Sequence, residues 1–249
     1  MPAPISVILI TKNAGAHIER ALQSVAWAAE RIVVDACSSD DTVARARPLA
    51  THVETRAWLG YGAQKNHAAS LASHDWVLSL DADEAVTPAL RDQILAWQPD
   101  AGTVACRMPR VTWYLGRWIR TTDWYPDRAV RLYDRRRARW DDRRVHEALL
   151  VDGTIGDLSG ELEHRPYDDV AAHLARMNHY TSLAADEMYA AGRRASAWQL
   201  LVHPPAAFLR NYVARTGFRD GVPGLIVSLL GGVYVLLKYV KLWERWRRA

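Results

Sequence analysis

Asp81-Ala82-Asp83 comes directly after the apolar run WVLSL at 76–80, so two carboxylates arrive at the end of a buried strand. Carboxylates in such a place cost desolvation energy unless a cation or hydrogen-bond donors satisfy them. Their hard oxygens suit Mg²⁺ or Mn²⁺, ions that commonly bridge a carboxylate to a phosphate. Acids ahead of Pro88 also serve as helix caps, so the position after a strand, more than the D-x-D spacing, carries the chemical reading. Asp35 closes a second such run, RIVVD at 31–35, where a carboxylate can accept from a nucleobase N–H or a ribose hydroxyl. The residues behind it, SSDD at 38–41, are ordinary helix-capping types. Thr11, Lys12 and Asn13 end a third run, ISVILI at 5–10, and can flank the same ligand.

These acids act together only if their strands end on one edge of a sheet. The run at 5–10 is followed by helical spacing at Ile18, Leu22 and Val25; the strand at 31–35 by a short helix at 42–47; a weak strand at 52–55 by a helix at 63–72; and then comes the strand at 76–80. Alternating strands and helices predict an α/β fold, a mostly parallel Rossmann-like sheet with helices on both faces. Ligands bind such sheets at the carboxyl ends of strands, so Asp35 and residues 81–83 are expected to face one cleft. Pro88 opens another helix with Leu90, Ile94 and Leu95 on its apolar side. Beyond Gly102 the pattern changes to short strands at 103–108, at 129–133 and around Trp140, separated by Trp- and Arg-rich loops. A long helix is predicted over 168–192, and a further one after Pro204-Pro205.

With 249 residues, 49% of them apolar and 24% charged, the chain reads as globular and not disordered: one domain over 1–165 and a helical C-terminal region over 166–249. The net charge of +4 is small, but cations cluster at 135–139, 143–144 and 245–248, which favours local anion contact over the broad field of a nucleic-acid binder. Cys37 and Cys106 lack metal-ligand spacing and suit a reduced compartment. Residues 1–10 carry no basic leader, so the protein is expected in the cytoplasm. Residues 221–237 contain no charge, at the short edge of a membrane span. Tyr239, Lys241, Trp243, Arg245, Trp246, Arg247 and Arg248 follow, a mixture that suits a headgroup interface. A buried helix and a true span are the other readings; the expectation is peripheral association with the inner face of the cytoplasmic membrane through about 221–243.

ISVILITKN, IVVDACSSDDT, GYGAQKN, DWVLSLDADE, LGRWIRTTDWYPDRAVRLY, VHE and GVYVLLKYVKLWE together resemble the family 2 glycosyltransferases, and among them the lipopolysaccharide core glucosyltransferase group. The resemblance spans nearly the whole chain with its motifs in order. It implies a GT-A fold, an inverting displacement, a nucleotide-sugar donor carried on UDP with glucose the expected sugar, a divalent metal, and a lipid-linked glycan acceptor such as the lipopolysaccharide inner core. By the same resemblance Asp35 matches the uracil-contacting acid, Asp83 the metal ligand, and Asp81 an acid beside the ribose or metal, while Gln64, Lys65 and Asn66 border the donor. Ala36 and Cys37 depart from the family, which usually has Ser or Asp and then Gly.

Two carboxylates compete for the base that deprotonates the acceptor: Glu147 in VHE and Asp127 in WYPDR. His146 is an added candidate metal ligand. Trp118, Arg120, Trp124, Tyr125 and Arg128 form an aromatic and cationic set suited to a phosphorylated sugar acceptor, since guanidinium groups grip phosphate and carboxylate. A polyprenyl phosphate is an alternative acceptor, and a non-enzymatic anionic-surface binder is the rival from another class.

Overall fold

A computed structural model of the protein describes residues 4–100, 102–141 and 148–248. Its strands are β1 (Ile5–Thr11), β2 (Glu30–Asp35), β3 (His52–Thr55), β4 (Trp76–Asp81), β5 (Glu84–Val86), β6 (Thr103–Tyr114), β7 (Arg117–Ile119), β8 (Asp127–Asp134), β9 (Ala138–Trp140), β10 (Leu149–Val151), β11 (Thr154–Asp157) and β12 (Leu162–His164). Its α-helices are α1 (Ile18–Ser24), α2 (Thr42–Ala46), α3 (Tyr61–Ser70), α4 (Pro88–Ala96), α5 (Val170–Ala190), α6 (Ala197–Leu209) and α7 (Gly221–Arg248). The chain forms two compact units, Met1–Arg110 with Arg128–His164, and Val111–Asp127 with Arg165–Ala249.

The first unit holds the expected sheet, in the order β3-β2-β1-β4-β8-β6-β12-β5 with β11 beside β6. β3, β2, β1 and β4 are parallel, and β8 turns antiparallel to β4. Alternation along the strands divides the core: Val7, Leu9, Val33, Leu78 and Leu80 pack with α1 and α4 residues such as Leu22, Leu90 and Ile94. Ile8, Ile32, Val34 and Val77 pack on the other face with Ala68 and Ala69 of α3. Successive side chains of a strand point to opposite faces, so apolar runs without polar alternation are what a sheet covered by helices on both sides requires. This mixed α/β arrangement is the GT-A fold.

Registry brings the strand ends together. Thr11 pairs with Asp35 and Ile10 with Asp81, so β2 and β4 flank β1 with their carboxyl ends at one edge, about 10 Å apart at the usual strand spacing. Two glycines shape the start of α3, Gly60 as its N-cap and Gly62 in its first turn. Gly60 has φ +103°, and a Cβ on Gly62 would sit 1.8 Å from the Asp141 carbonyl oxygen, so no larger residue lets α3 approach β9 this closely.

The second unit contains α5, α6 and α7. Asp169 caps α5 through the Ala172 N–H, close to the predicted start of that helix. α6 begins at Ala197, not after Pro204-Pro205 as the prolines suggest, because Ser196 and Gln199 form a reciprocal capping box that starts the helix a full two turns earlier. A π-helical turn follows at Arg210–Ala214. Gly217–Arg248 is, by length and composition, long and apolar enough to cross a membrane. The polar side of α7 faces α5: Lys241 Nζ donates to the Asn178 carbonyl (2.6 Å), Thr181 Oγ1 (2.7 Å) and Ser182 Oγ (2.9 Å), and Arg245 pairs with Asp186. The outward side is apolar, with Val222, Leu229, Val233, Leu236, Val240 and Trp243 exposed at successive spacings of seven, four, three, four and three residues. α6 and the turns after it expose Trp198, Leu201, Leu209, Val213 and Phe218.

Candidate active site

Asp35 is fully buried, and its carboxylate accepts from Thr11 Oγ1 (2.9 Å), the Ser38 N–H (2.8 Å) and Ser38 Oγ (2.5 Å). The loops after β1 and β2 are tied together by the Asn13 N–H to Ser38 Oγ (2.8 Å) and the Ser39 N–H to Asn13 Oδ1 (2.9 Å). Asn13 and Cys37 both adopt left-handed backbone, at φ 51° and 57°. At Cys37 this backbone explains why glycine is usual there: an L-residue with a Cβ is disfavoured by about 1 kcal/mol or more, and glycine is not. The loop keeps its shape through the Asn13, Ser38 and Asp40 side chains, Asp40 accepting from the Gly15 N–H at 3.0 Å.

Asp81 is held by basic residues. Arg131, nearly buried on β8, places Nη2 2.5 Å from Asp81 Oδ2 and 2.6 Å from Glu84 Oε1, while Arg110 reaches the same Glu84 oxygen at 2.9 Å. Lys65 Nζ lies 3.5 Å from Asp81 Oδ1 and over the Trp140 ring at 4.3 Å. Burial raises the Asp81 pKa, but Arg131, then Lys65, Arg110 and His164, outweigh it and hold the carboxyl well below the usual carboxylate range. Burial likewise lowers that of Arg131, and Asp81 and Glu84 together drive it upward. Glu84, fully buried, also accepts from the Asp81 N–H at 3.1 Å, which closes the turn that carries Asp83.

Asp83 sits in that turn, its backbone carbonyl accepting from Arg20 Nη2 (3.3 Å), an arginine itself fixed by Glu163 (2.7 Å). Its Oδ2 lies 3.5 Å from Nε2 of His164, at the end of β12. His164 was not among the residues picked out in the sequence: it ends a three-residue strand with no periodic signal, 81 positions from its partner. His146 and Glu147 lie outside the described residues. Among the described residues no group of three or more His, Cys, Asp or Glu could hold a metal ion. The carboxylate and imidazole of Asp83 and His164 supply two donors, a number that suits Mg²⁺ or Mn²⁺ when phosphate and water complete the shell.

The segment 64–66 divides its work. Asn66 exchanges two bonds with Trp140, Nδ2 donating to the carbonyl (2.8 Å) and Oδ1 accepting from the N–H (2.9 Å), and so fixes β9 to α3. Gln64 is fully buried, and neither atom of its amide has a hydrogen-bond partner among the described residues. An orphaned buried amide is costly, by about 1–3 kcal/mol, which fits a group that meets a ligand.

Residues 6–150 match the family model described as Glycosyl transferase family 2. The chain belongs to that family. It is 30% identical over 254 residues to the lipopolysaccharide core biosynthesis glycosyltransferase LpsC of Rhizobium meliloti, a match covering 97% of this chain and 93% of that one. Among solved structures, TarS residues 1–349 of S. aureus align over 98% of this chain and 91% of theirs at 15% identity and a TM-score of 0.47. Glucosyl-3-phosphoglycerate synthase from Mycobacterium tuberculosis, crystallised with Mn²⁺, uridine diphosphate and glucosyl-3-phosphoglycerate, aligns over 43% of this chain and 44% of its own at 25% identity and a TM-score of 0.37.

Of the acceptor candidates of this family 2 enzyme, Arg128 lies in the first unit, where Nη1 donates to Asp157 at 2.8 Å. Trp118, Arg120, Trp124, Tyr125 and the base candidate Asp127 lie in the second. There Trp124 packs against Tyr114, Tyr167 and His173, and His173 Nδ1 meets the Tyr114 hydroxyl at 2.8 Å. Burial, with Arg176 nearby, pushes His173 down to about 4, so this ring is a neutral packing group. The Arg120 guanidinium lies 5.9 Å over Tyr125, and the Arg120 backbone N–H donates to Asp220 Oδ2 at 2.9 Å.

Proposed function

We propose that the protein is a metal-dependent inverting hexosyltransferase that moves a sugar, glucose being the expected one, from a UDP-linked donor to a lipid-linked glycan of the lipopolysaccharide inner core, at the inner face of the cytoplasmic membrane. The observation that carries the donor reading is the placement of Asp35 and Asp81 at the carboxyl edge of the two parallel strands that flank β1, with Asp83 in the turn beyond. Asp35, with Thr11 and Asn13 beside it, receives the nucleoside; Gln64 offers an unmatched amide to the donor; Asp83 and His164 hold the divalent cation. When bound, that cation supplies positive charge to the departing diphosphate. Lys65 and Arg131 keep Asp81 ionised, so this carboxylate orients the ribose or the cation's water shell without taking up a proton. Glu147 or Asp127 takes the proton of the acceptor hydroxyl as that oxygen attacks the anomeric carbon. The kinship with a lipopolysaccharide core enzyme supports the acceptor class.

Calorimetry with UDP-glucose should show binding with Mn²⁺ present and a loss of at least tenfold in affinity with excess chelator. Binding that ignores the metal would remove it from the mechanism.

Membrane contact is supported by charge as well as by apolarity. Residues 193–248 contain ten Lys and Arg against two acids, and the exposed stripe of α7 from Val222 to Trp243 is about 32 Å long at the helical rise. The protein should co-sediment with vesicles containing phosphatidylglycerol and much less with phosphatidylcholine alone. Equal recovery in the supernatant with both would mean that a protein surface covers this stripe instead.

A further inference from the structure

Arg165 begins the second part of the C-terminal unit, and its side chain lies on two indole rings. The guanidinium carbon is 5.2 Å from the centroid of Trp113 and 5.7 Å from that of Trp118. The two rings meet edge to face at 5.1 Å. They are register partners across the β6–β7 hairpin, whose two-residue turn, Leu115-Gly116, has positive φ at both positions. Such a turn matches the twist of the strands, so backbone pairing fixes the platform before any ligand arrives.

What the platform holds has no anion of its own. Among the described residues no carboxylate or carbonyl accepts from Arg165, and its Nε is buried without a hydrogen-bond partner. The two indoles supply no acceptor for those donors, because an indole ring carries only an N–H donor. The neighbouring cations are engaged. Arg117 Nη2 donates to the Arg219 carbonyl at 3.0 Å and Nε lies 3.4 Å from Asp220, while Arg120 lies against Tyr125. Among the described residues nothing accepts from this partly desolvated fork of donors.

We propose that Arg165, on its Trp113 and Trp118 platform, binds an anionic substituent of the acceptor: a carboxylate or a phosphate carried on a sugar. A planar fork with parallel N–H bonds matches the paired oxygens of either group. The assignment of this anion to the acceptor rests on the transfer reaction proposed above; the anion site itself requires neither donor nor metal.

The test uses the full-length protein labelled with ¹⁵N at tryptophan indoles, the Trp113 and Trp118 signals being assigned through Trp113→Phe and Trp118→Phe. Titration with glucuronate and with glucose 6-phosphate should shift those two signals, and titration with glucose should not. The tighter of the two anions identifies carboxylate or phosphate as the preferred group. Arg165→Gln should weaken anion binding by about 10- to 100-fold, as expected for loss of a charge-assisted pair, and leave UDP-glucose binding unchanged. Arg165→Lys, which keeps the charge and loses the fork, should fall between. No response to either anion, an equal response to glucose, or full affinity in folded Arg165→Gln would overturn the proposal. Arg165-dependent anion binding in a protein that transfers no sugar would remove the transfer reaction and leave the anion site standing.

Discussion

Arg131→Met should destabilise the first unit by about 3–5 kcal/mol, the usual cost of removing one partner from a buried charge cluster. Methionine fills much of the same volume, so the loss reports the charges and not a cavity. Without Arg131, the fully buried Glu84 keeps Arg110 at 2.9 Å and Asp81 keeps Lys65 at 3.5 Å, so each carboxylate loses its shortest ion pair and the cluster loses one cation. Urea denaturation gives the magnitude. Adding Glu84→Gln to Arg131→Met should recover part of it, because one buried negative charge is removed along with the lost cation and a non-additive double-mutant cycle results. The pH dependence has a definite sign. Asp81 titrates below its unfolded value of about 3.9, so its contribution to stability is complete above that pH and is lost as the pH falls through the folded value. Arg131→Met should therefore flatten the acid limb of the stability curve. A loss under about 1 kcal/mol at neutral pH, with that limb unchanged, would mean that Arg131 merely lies near the acids.

Arg131 also marks the limit of what could be read from the chain alone. The strands that deliver Asp35 and Asp81 are continuous β-branched and leucine runs, RIVV and WVLSL, whose only comfortable place is inside a sheet covered on both faces, and the acids follow at their ends. The partners of those acids come from elsewhere. Arg131 lies 50 residues after Asp81 on a strand whose pattern reveals a strand but not its neighbour, and His164 ends a strand of three residues, too short for any period to register. Arg165 is distinguished only by two tryptophans some fifty positions earlier that a hairpin turn places 5.2 and 5.7 Å from its guanidinium. In α6 the two prolines predict a helix that begins after them, but the reciprocal Ser196–Gln199 bonds start it earlier and both prolines are carried within it. Local chemistry was legible wherever the element that positions it is long and apolar. Contacts made by short strands across the sheet were not.

Asp83→Ala should lower transfer by about 10²–10³-fold and remove the Mn²⁺ dependence of UDP-glucose binding, with little change in thermal stability. The backbone of its turn is secured independently: Arg20 holds the Asp83 carbonyl, and Glu84 accepts from the Asp81 N–H. Truncating the side chain therefore removes a hard oxygen donor without loosening the loop that carries it. Asp83→Asn is the sharper variant, because it keeps the shape while exchanging a carboxylate for a neutral amide, and a hard divalent cation should discriminate strongly between them. His164→Gln should produce the smaller loss, since an imidazole beside a carboxylate contributes one donor and no charge to the cation. This ranking separates metal binding from a purely structural pair: if Asp83 and His164 only stabilised each other, the two variants would lose stability together and neither would change the response to Mn²⁺. Unimpaired, metal-dependent transfer by Asp83→Asn would move the cation to other ligands.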